Sequence, residues 1–229
     1  MDTTTVIVIF LVIVVVSIIV YVSWLFEQKR QEAYRTWAEL NGWSYDHRRN
    51  RETYRRHSNF NRLQRGSNRY AFDILQGTWN KYPASAFNFH YETYSTSSNG
   101  KTTTRKTHHH YFGVVIIQIE RFFPKLLISP NNIFKKIGDA LGFGGINFES
   151  VEFSERFTVR CHNKKFAYDF CHPRMMEYLL TRSDTVIELE GNIFALFNGR
   201  GKMNPDKVEE SLNKLIQLRE LMPKYLFRN

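Results

Sequence analysis

Histidine and cysteine are the residues in this chain whose grouping invites chemistry. His108-His109-His110 follow a stretch that also holds His90, and imidazole is a zinc ligand. On a strand, His108 and His110 face one way and His109 the other, so the triplet by itself cannot converge on one ion. If Asn99-Gly100 closes a two-residue turn, His109 lies opposite His90 and His108 opposite Tyr91. Two imidazoles fall short of the three or four ligands zinc prefers, and the group reads as the polar face of an exposed hairpin. Cys161-His162 and Cys171-His172 supply zinc-binding residue types, but their spacing matches no finger or ribbon, and adjacent side chains diverge. They read as buried thiols filling a core. No metal site and no cofactor is expected.

Nucleotide and nucleophile motifs are absent. Gly142-Phe143-Gly144-Gly145 follows a helical pattern and reads as its C-cap, and Gly199-Arg200-Gly201-Lys202 lacks the Walker spacing. There is no Gly-x-Ser-x-Gly elbow and no His-Glu-x-x-His. A catalytic set could still assemble from dispersed residues, as serine–histidine–acid sets do.

Arginine is the remaining chemical signal. Of the 229 residues, 32 are Lys or Arg against 22 Asp or Glu, a net charge of +10 that favours anionic partners. Residues 27–69 hold 11 of those bases against five acids. Arg48, Arg49, Arg51, Arg55 and Arg56 stand out as candidate contacts to lipid headgroups, with Arg62, Arg65 and Arg69 continuing the run. Each cation held near an anionic surface contributes about 1 kcal/mol. The plainer reading of the same charges is a topology determinant on a solvated loop.

These residues must be positioned by something, and the first element is an anchor. Val6–Phe26 runs 21 residues without a formal charge, long enough to cross a hydrocarbon core of about 30 Å as a helix. A signal peptide fits poorly, because the leader has no Lys or Arg and no small-x-small cleavage site follows. Basic residues crowd the C-terminal flank while Asp2 is the one charge before the run. The positive-inside rule therefore places the N-terminus outside and residues 27–229 in the cytoplasm, where both cysteines stay reduced.

Residues 27–41 continue as a helical stalk ended by Gly42, and with the basic stretch His47–Arg69 they make a stalk and juxtamembrane segment, 27–69. From Tyr70 the pattern turns to strands: Tyr70–Thr78, Ser85–Tyr94 and His108–Glu120. Asn80–Pro83 makes a turn, and residues 85–119 form a long hairpin whose tip carries Lys101, Arg105 and Lys106, candidate contacts for a partner. Val114–Ile117 is apolar on both faces and belongs in the middle of a sheet. Further expectations are a strand at Lys125–Ser129, a helix opening at Pro130, a strand at Arg156–Cys161, helices at Lys164–Phe170 and Pro173–Thr181, and a hairpin of Val186–Glu190 with Asn192–Phe197 around Gly191. A last helix from Pro205 to about Met222 carries the stripe Val208, Leu212, Leu215, Met222. The order argues for an α+β fold: a single N-terminal transmembrane helix (1–26), then one domain (70–229) with a mainly antiparallel sheet, short helices and a C-terminal helix.

The segment Phe148–Val159, followed by Phe166-Ala167-Tyr168-Asp169 and Pro173-Arg174-Met175-Met176-Glu177, resembles the C-terminal core of a family of bacterial membrane-associated proteins of unknown function. The resemblance implies a bacterial, membrane-associated protein and carries over no catalytic residue. Physically the segment supplies core, through Phe148, Phe153, Phe157, Phe166 and Phe170. Arg156, Arg160 and Arg174 stand beside Glu149, Glu152 and Glu177, as margin pairs or an Arg-lined notch.

The expectation is a non-enzymatic interaction or accessory module tethered at the cytoplasmic face of the inner membrane, with the bilayer and another membrane protein or complex as partners. A tethered hydrolase-like enzyme and an anionic-lipid surface sensor are the alternatives. Nucleic acid is the weaker partner class, because the aromatics alternate within apolar strands, where core packing explains them.

Overall fold

A computed structural model describes residues 2–100, 102–131, 145–182 and 185–228. The expected helix after Pro130, the Gly142–Gly144 cap and Lys101 lie outside the described residues.

The apolar run and the stalk are one element. Helix α1 (Thr3–Asn41) is 39 residues long and ends where Gly42 adopts the left-handed conformation, its φ of 67° letting its N–H return to Ala38 and Glu39. The apolar part is long and greasy enough to cross a membrane, and none of it is buried in the protein. In lipid the backbone must satisfy itself, so Val and Ile are held helical against their strand preference.

The remainder is α+β, as expected. Strands β1 (Ser44–Asp46), β2 (Ser67–Trp79), β3 (Tyr82–Ser98) and β4 (Thr103–Pro130) pair antiparallel in sequence order. Strand β4 is central: β6 (Val186–Arg200) pairs with it on one side, while β3 and then β5 (Phe157–Cys161) pair with it on the other. Short helices α2 (Arg51–Arg56), α3 (Val151–Arg156), α4 (Lys164–Phe170) and α5 (Pro173–Leu180) and the closing helix α6 (Pro205–Leu221) complete the body.

Two expected elements are redrawn. Lys125–Ser129 is the far end of β4, and the expected hairpin around Gly191 is one strand, β6. The two strands bend together: their register slips between Gln118 and Phe123, where Phe123 faces Gly191, whose φ is 62°. A positive-φ glycine between apolar runs reads locally as a turn, but here it absorbs the kink that keeps β6 paired across the bulged part of β4.

Both sheet faces are covered. On one lie α6, α4, α5 and the end of α1, over Val115, Ile117, Phe153, Phe170, Leu212 and Leu215. On the other, Phe60 and Leu63 cover Phe87, Phe89, Phe112 and Phe197. The stripe expected on the last helix is buried at Val208, Leu212, Leu215 and Met222.

The packing corrects the stalk and juxtamembrane readings. Tyr34 and Ala38 are buried in the core, so the last turns of α1 belong to the domain. Their inward face runs from half-buried Arg30 through Tyr34 to Ala38, while Leu40 is exposed. Residues 42–69 likewise fold onto the sheet. Trp43 is buried, β1 pairs with β2, and α2 with a 3₁₀ turn (Asn61–Gln64) covers the second face. Charge dominates their composition, but Trp43, Thr53, Phe60 and Leu63 suffice to bury one side.

Trp43 lies across Gly77, where an added Cβ would come within 2.5 Å of the indole. The ring packs edge-on to Trp37 and Trp79. Gly77→Val is therefore expected to displace Trp43 and destabilise the domain by about 1–3 kcal/mol, visible as a red-shifted tryptophan emission with a lowered unfolding midpoint.

Candidate functional site

The direction of α1 defines which end of the sheet matters. Trp37 meets Trp43 and Trp79 near the β2–β3 turn. One turn earlier Tyr34 meets Asn88, then Arg30 meets Asp73, and Glu27 meets Lys202 at the end of β6. Moving toward the anchor, the contacts travel away from the Trp79–Tyr82 turn and toward the end where β3 and β4 run out as a hairpin. The apolar part of α1 leaves the domain at that end.

The clasp between α1 and the sheet is polar and buried. Asn88 donates to the Tyr34 hydroxyl (3.2 Å) and to Asp73 (3.1 Å), while its carbonyl accepts the Met203 N–H (2.6 Å). Tyr34 donates to the Met203 carbonyl, Tyr45 donates to Asp73 (3.0 Å), and Arg30 pairs with both Asp73 and Glu27. Burial opposes ionisation of Glu27, but hydrogen bonds from Arg30 and Lys202 outweigh it and hold its pKa at about 2. Its stabilising share is thus complete above the ordinary value of 4.5 and lost as pH falls through about 2. Asp73 reaches α1 because it sits on a β-bulge with φ of 50°, which Asp tolerates.

At the exit end a second bulge does similar work. Asn68, with φ of 46°, places its carbonyl 3.1 Å from His90 Nδ1 and donates its amide to Glu92 (2.7 Å). His90 Nε2 lies 3.0 Å from His109 Nδ1, which stands 3.5 Å from Glu92. The expected cross-strand register is corrected here. Ser98 pairs with Thr103 across a four-residue connection, so His109 faces Glu92, His110 faces Tyr91, and His108 faces Thr93. His90 meets His109 diagonally. His90, Glu92 and His109 could hold a divalent ion with water as a further ligand, since their donor atoms lie within 4.8 Å of one another. Each side chain already has a protein partner, so the network also closes on itself. Burial holds the His90 imidazole below its ordinary value, keeping it neutral near pH 7.

On the opposite face, at the same end, lies a cleft of about 700 Å³ lined by Arg62, Arg65, Tyr91, Thr93, His109–Phe112 and Gly199–Gly201. Arg62 is 8 % exposed and lies 4.9 Å from the Phe112 ring centre and 5.7 Å from that of Phe197. Its Nε and Nη1 atoms and Nη2 of Arg65 are buried without a hydrogen-bond partner. Burial, then the charge of Arg65, push the Arg62 guanidinium down to about 10, against a partial offset from Glu188. The Glu188 carboxylate instead accepts the backbone N–H groups of Asn61 and Arg62. The cleft floor is Tyr91 stacked on His110, whose Nε2 is 2.8 Å from the Thr93 hydroxyl. No carboxylate lines it.

The arginines singled out from sequence do not converge on one site. Arg48 is an exposed partner of Asp46 (2.9 Å), Arg49 lies over the Tyr70 ring (4.8 Å), and Arg51 reaches Asn68 (3.4 Å). Arg55 and Arg56 are exposed on α2. At the hairpin, Arg105 covers the Tyr94 ring (3.6 Å) and Lys106 is exposed. Both cysteines are buried, and burial pushes their thiols up. Among the described residues neither Cys-His pair gathers a third metal donor, and His172 contacts the Leu221 carbonyl (2.9 Å). Sequence reasoning missed Arg62, Arg65 and Arg200 as a set. Their meeting depends on a fold-back of the 3₁₀ turn onto β4 and β6, for which local spacing gives no signal.

Helix, sheet and exit end together define the class: an α+β protein carrying a single N-terminal helix able to cross a membrane. No protein-family model and no curated protein matches the chain. Among solved structures, it is similar to the crystal structure of the mycobacterial trehalose monomycolate transport factor A, TtfA, with a TM-score of 0.54 and 13% identity. The match covers 84% of this chain and 96% of that one, and at such identity it shows a shared fold.

Proposed function

We propose that this chain is a membrane-tethered, non-enzymatic accessory module, held at the cytoplasmic face of a bacterial membrane, that presents the exit end of its sheet to an integral membrane protein. The observation that carries the reading is the continuity of α1. One unbroken helix leads from the apolar segment to Tyr34 and Ala38 in the core, clasped through Arg30 and Asp73. A domain held this way cannot swivel freely, and the β3–β4 hairpin and its basic surroundings keep a fixed bearing toward the bilayer. The orientation rests on the basic C-terminal flank of the apolar segment. The bacterial setting rests on the resemblance carried by Phe148–Glu177, and the accessory role gains support from a fold neighbour named as a transport factor.

Photo-crosslinking in intact cells tests it. A benzophenone side chain at Thr104, on the hairpin, is expected to capture one discrete membrane protein. The same group at Lys81, in the turn at the opposite end, is expected to give none. Equal capture from both positions, or none from either, would refute the proposal.

A further inference from the structure

Three guanidinium groups without an ion pair meet at one cleft, and that arrangement asks for an anion. Arg62 projects from the 3₁₀ turn, Arg65 from the residue that ends it and Arg200 from the end of β6, and none makes an ion pair among the described residues. Burying a charged side chain with two orphaned donors is costly, and placing a second cation beside it adds to the cost. Elsewhere the chain avoids this: Arg30, half-buried, is met by Asp73 and Glu27. Here the aromatic faces of Phe112 and Phe197 support Arg62 from one side while its Nε and Nη1 atoms stay unengaged.

We infer that the Arg62–Arg65–Arg200 cleft binds a phosphate-bearing anion. A carboxylate is flat and carries one charge, which leaves two guanidiniums uncompensated. A phosphate group brings up to two charges and tetrahedrally disposed oxygens, and several guanidinium forks can engage it at once. The Thr93 hydroxyl, bonded to His110, also lines the cleft. At about 700 Å³ the cleft has room for more than a bare ion, such as a phosphorylated headgroup. Its place at the exit end of α1 makes a lipid phosphate one source and a soluble phosphate compound the other. This inference is independent of any protein partner.

The test uses the full-length protein in nanodiscs, read by its thermal unfolding midpoint. One arm adds inorganic phosphate to phosphatidylcholine discs, and the other replaces part of the lipid with phosphatidic acid. A saturable rise in midpoint in either arm is expected; the arm in which it occurs identifies the source. Arg65→Gln and Arg200→Gln, both on partly or fully exposed side chains, are expected to raise the half-saturating concentration roughly tenfold or more each. Arg55→Gln and Arg56→Gln remove the same charge from exposed positions outside the cleft and are expected to leave it unchanged. Arg62→Met should abolish the shift, and the two rim variants keep the test valid if it misfolds. No shift in either arm, an equal loss in the α2 variants, or an equal shift with acetate at matched ionic strength would overturn the inference.

Discussion

Asp73→Asn is expected to lower the unfolding free energy by about 3 kcal/mol, a drop of roughly 6–12 °C in midpoint for a domain of this size. The carboxylate is 1 % exposed and serves Arg30, Tyr45 and Asn88 at once. Removing its charge leaves the Arg30 guanidinium, 12 % exposed, with Glu27 alone. Asparagine is the informative replacement because the backbone there has φ of 50°, which Asn tolerates and Ala does not. Asp73→Ala should be worse by about 1 kcal/mol for that reason. Pairing Asp73→Asn with Arg30→Met removes both charges, and much of the loss should return, because no buried guanidinium is then left without its carboxylate. Thermal melts of the four proteins of this cycle, followed by tryptophan emission in detergent, measure the coupling. A single variant indistinguishable from the parent would show that α1 is not clasped through this carboxylate.

Periodicity in the sequence locates what local physics decides. The apolar run of α1, the alternation of Phe87, Phe89 and Tyr91 in β3, the two-sided apolar Val114–Ile117 in β4 and the stripe of α6 each declare their element, because burial follows directly from the pattern. A turn is expected at Asn80–Pro83 and one is there, but it is tighter: Asn80 and Lys81 alone close it with positive φ, while Tyr82 and Pro83 already pair in β3. Where reading failed, long-range pairing overrode a local cue. Gly191 looked like a hairpin turn, yet β6 continues through it because β4 kinks opposite. Residues 42–69 looked like a solvated basic spacer, yet Trp43, Phe60 and Leu63 are buried on the sheet. The same cause hid the candidate site. Arg62 lies between Phe60 and Leu63 in a turn whose neighbours come from β4 and β6, more than forty residues away in sequence. Asn68 and Asp73 interrupt a strand pattern where polar residues with positive φ re-aim side chains, and both lead to the exit end or to the clasp.

Inserting Gly-Ser-Gly-Ser between Phe26 and Glu27 is expected to separate folding from function. The insertion falls after the apolar run and before Glu27, so the Lys202–Glu27 bridge (3.0 Å) and the Arg30–Asp73 pair lie wholly on the far side of it. The unfolding midpoint should therefore stay near that of the parent. What changes is the coupling of domain to bilayer. A continuous helix transmits orientation, whereas four flexible residues let the domain tumble at an effective concentration in the millimolar range without a preferred face. Crosslinking from Thr104 to the membrane protein proposed above should then fall roughly tenfold, and a helical insertion of seven alanines, which nearly restores the angular position of the domain, should recover more of it than one of five. If the flexible variant crosslinks as well as the parent, the rigid junction is dispensable, and the hairpin reaches its partner through tethering alone.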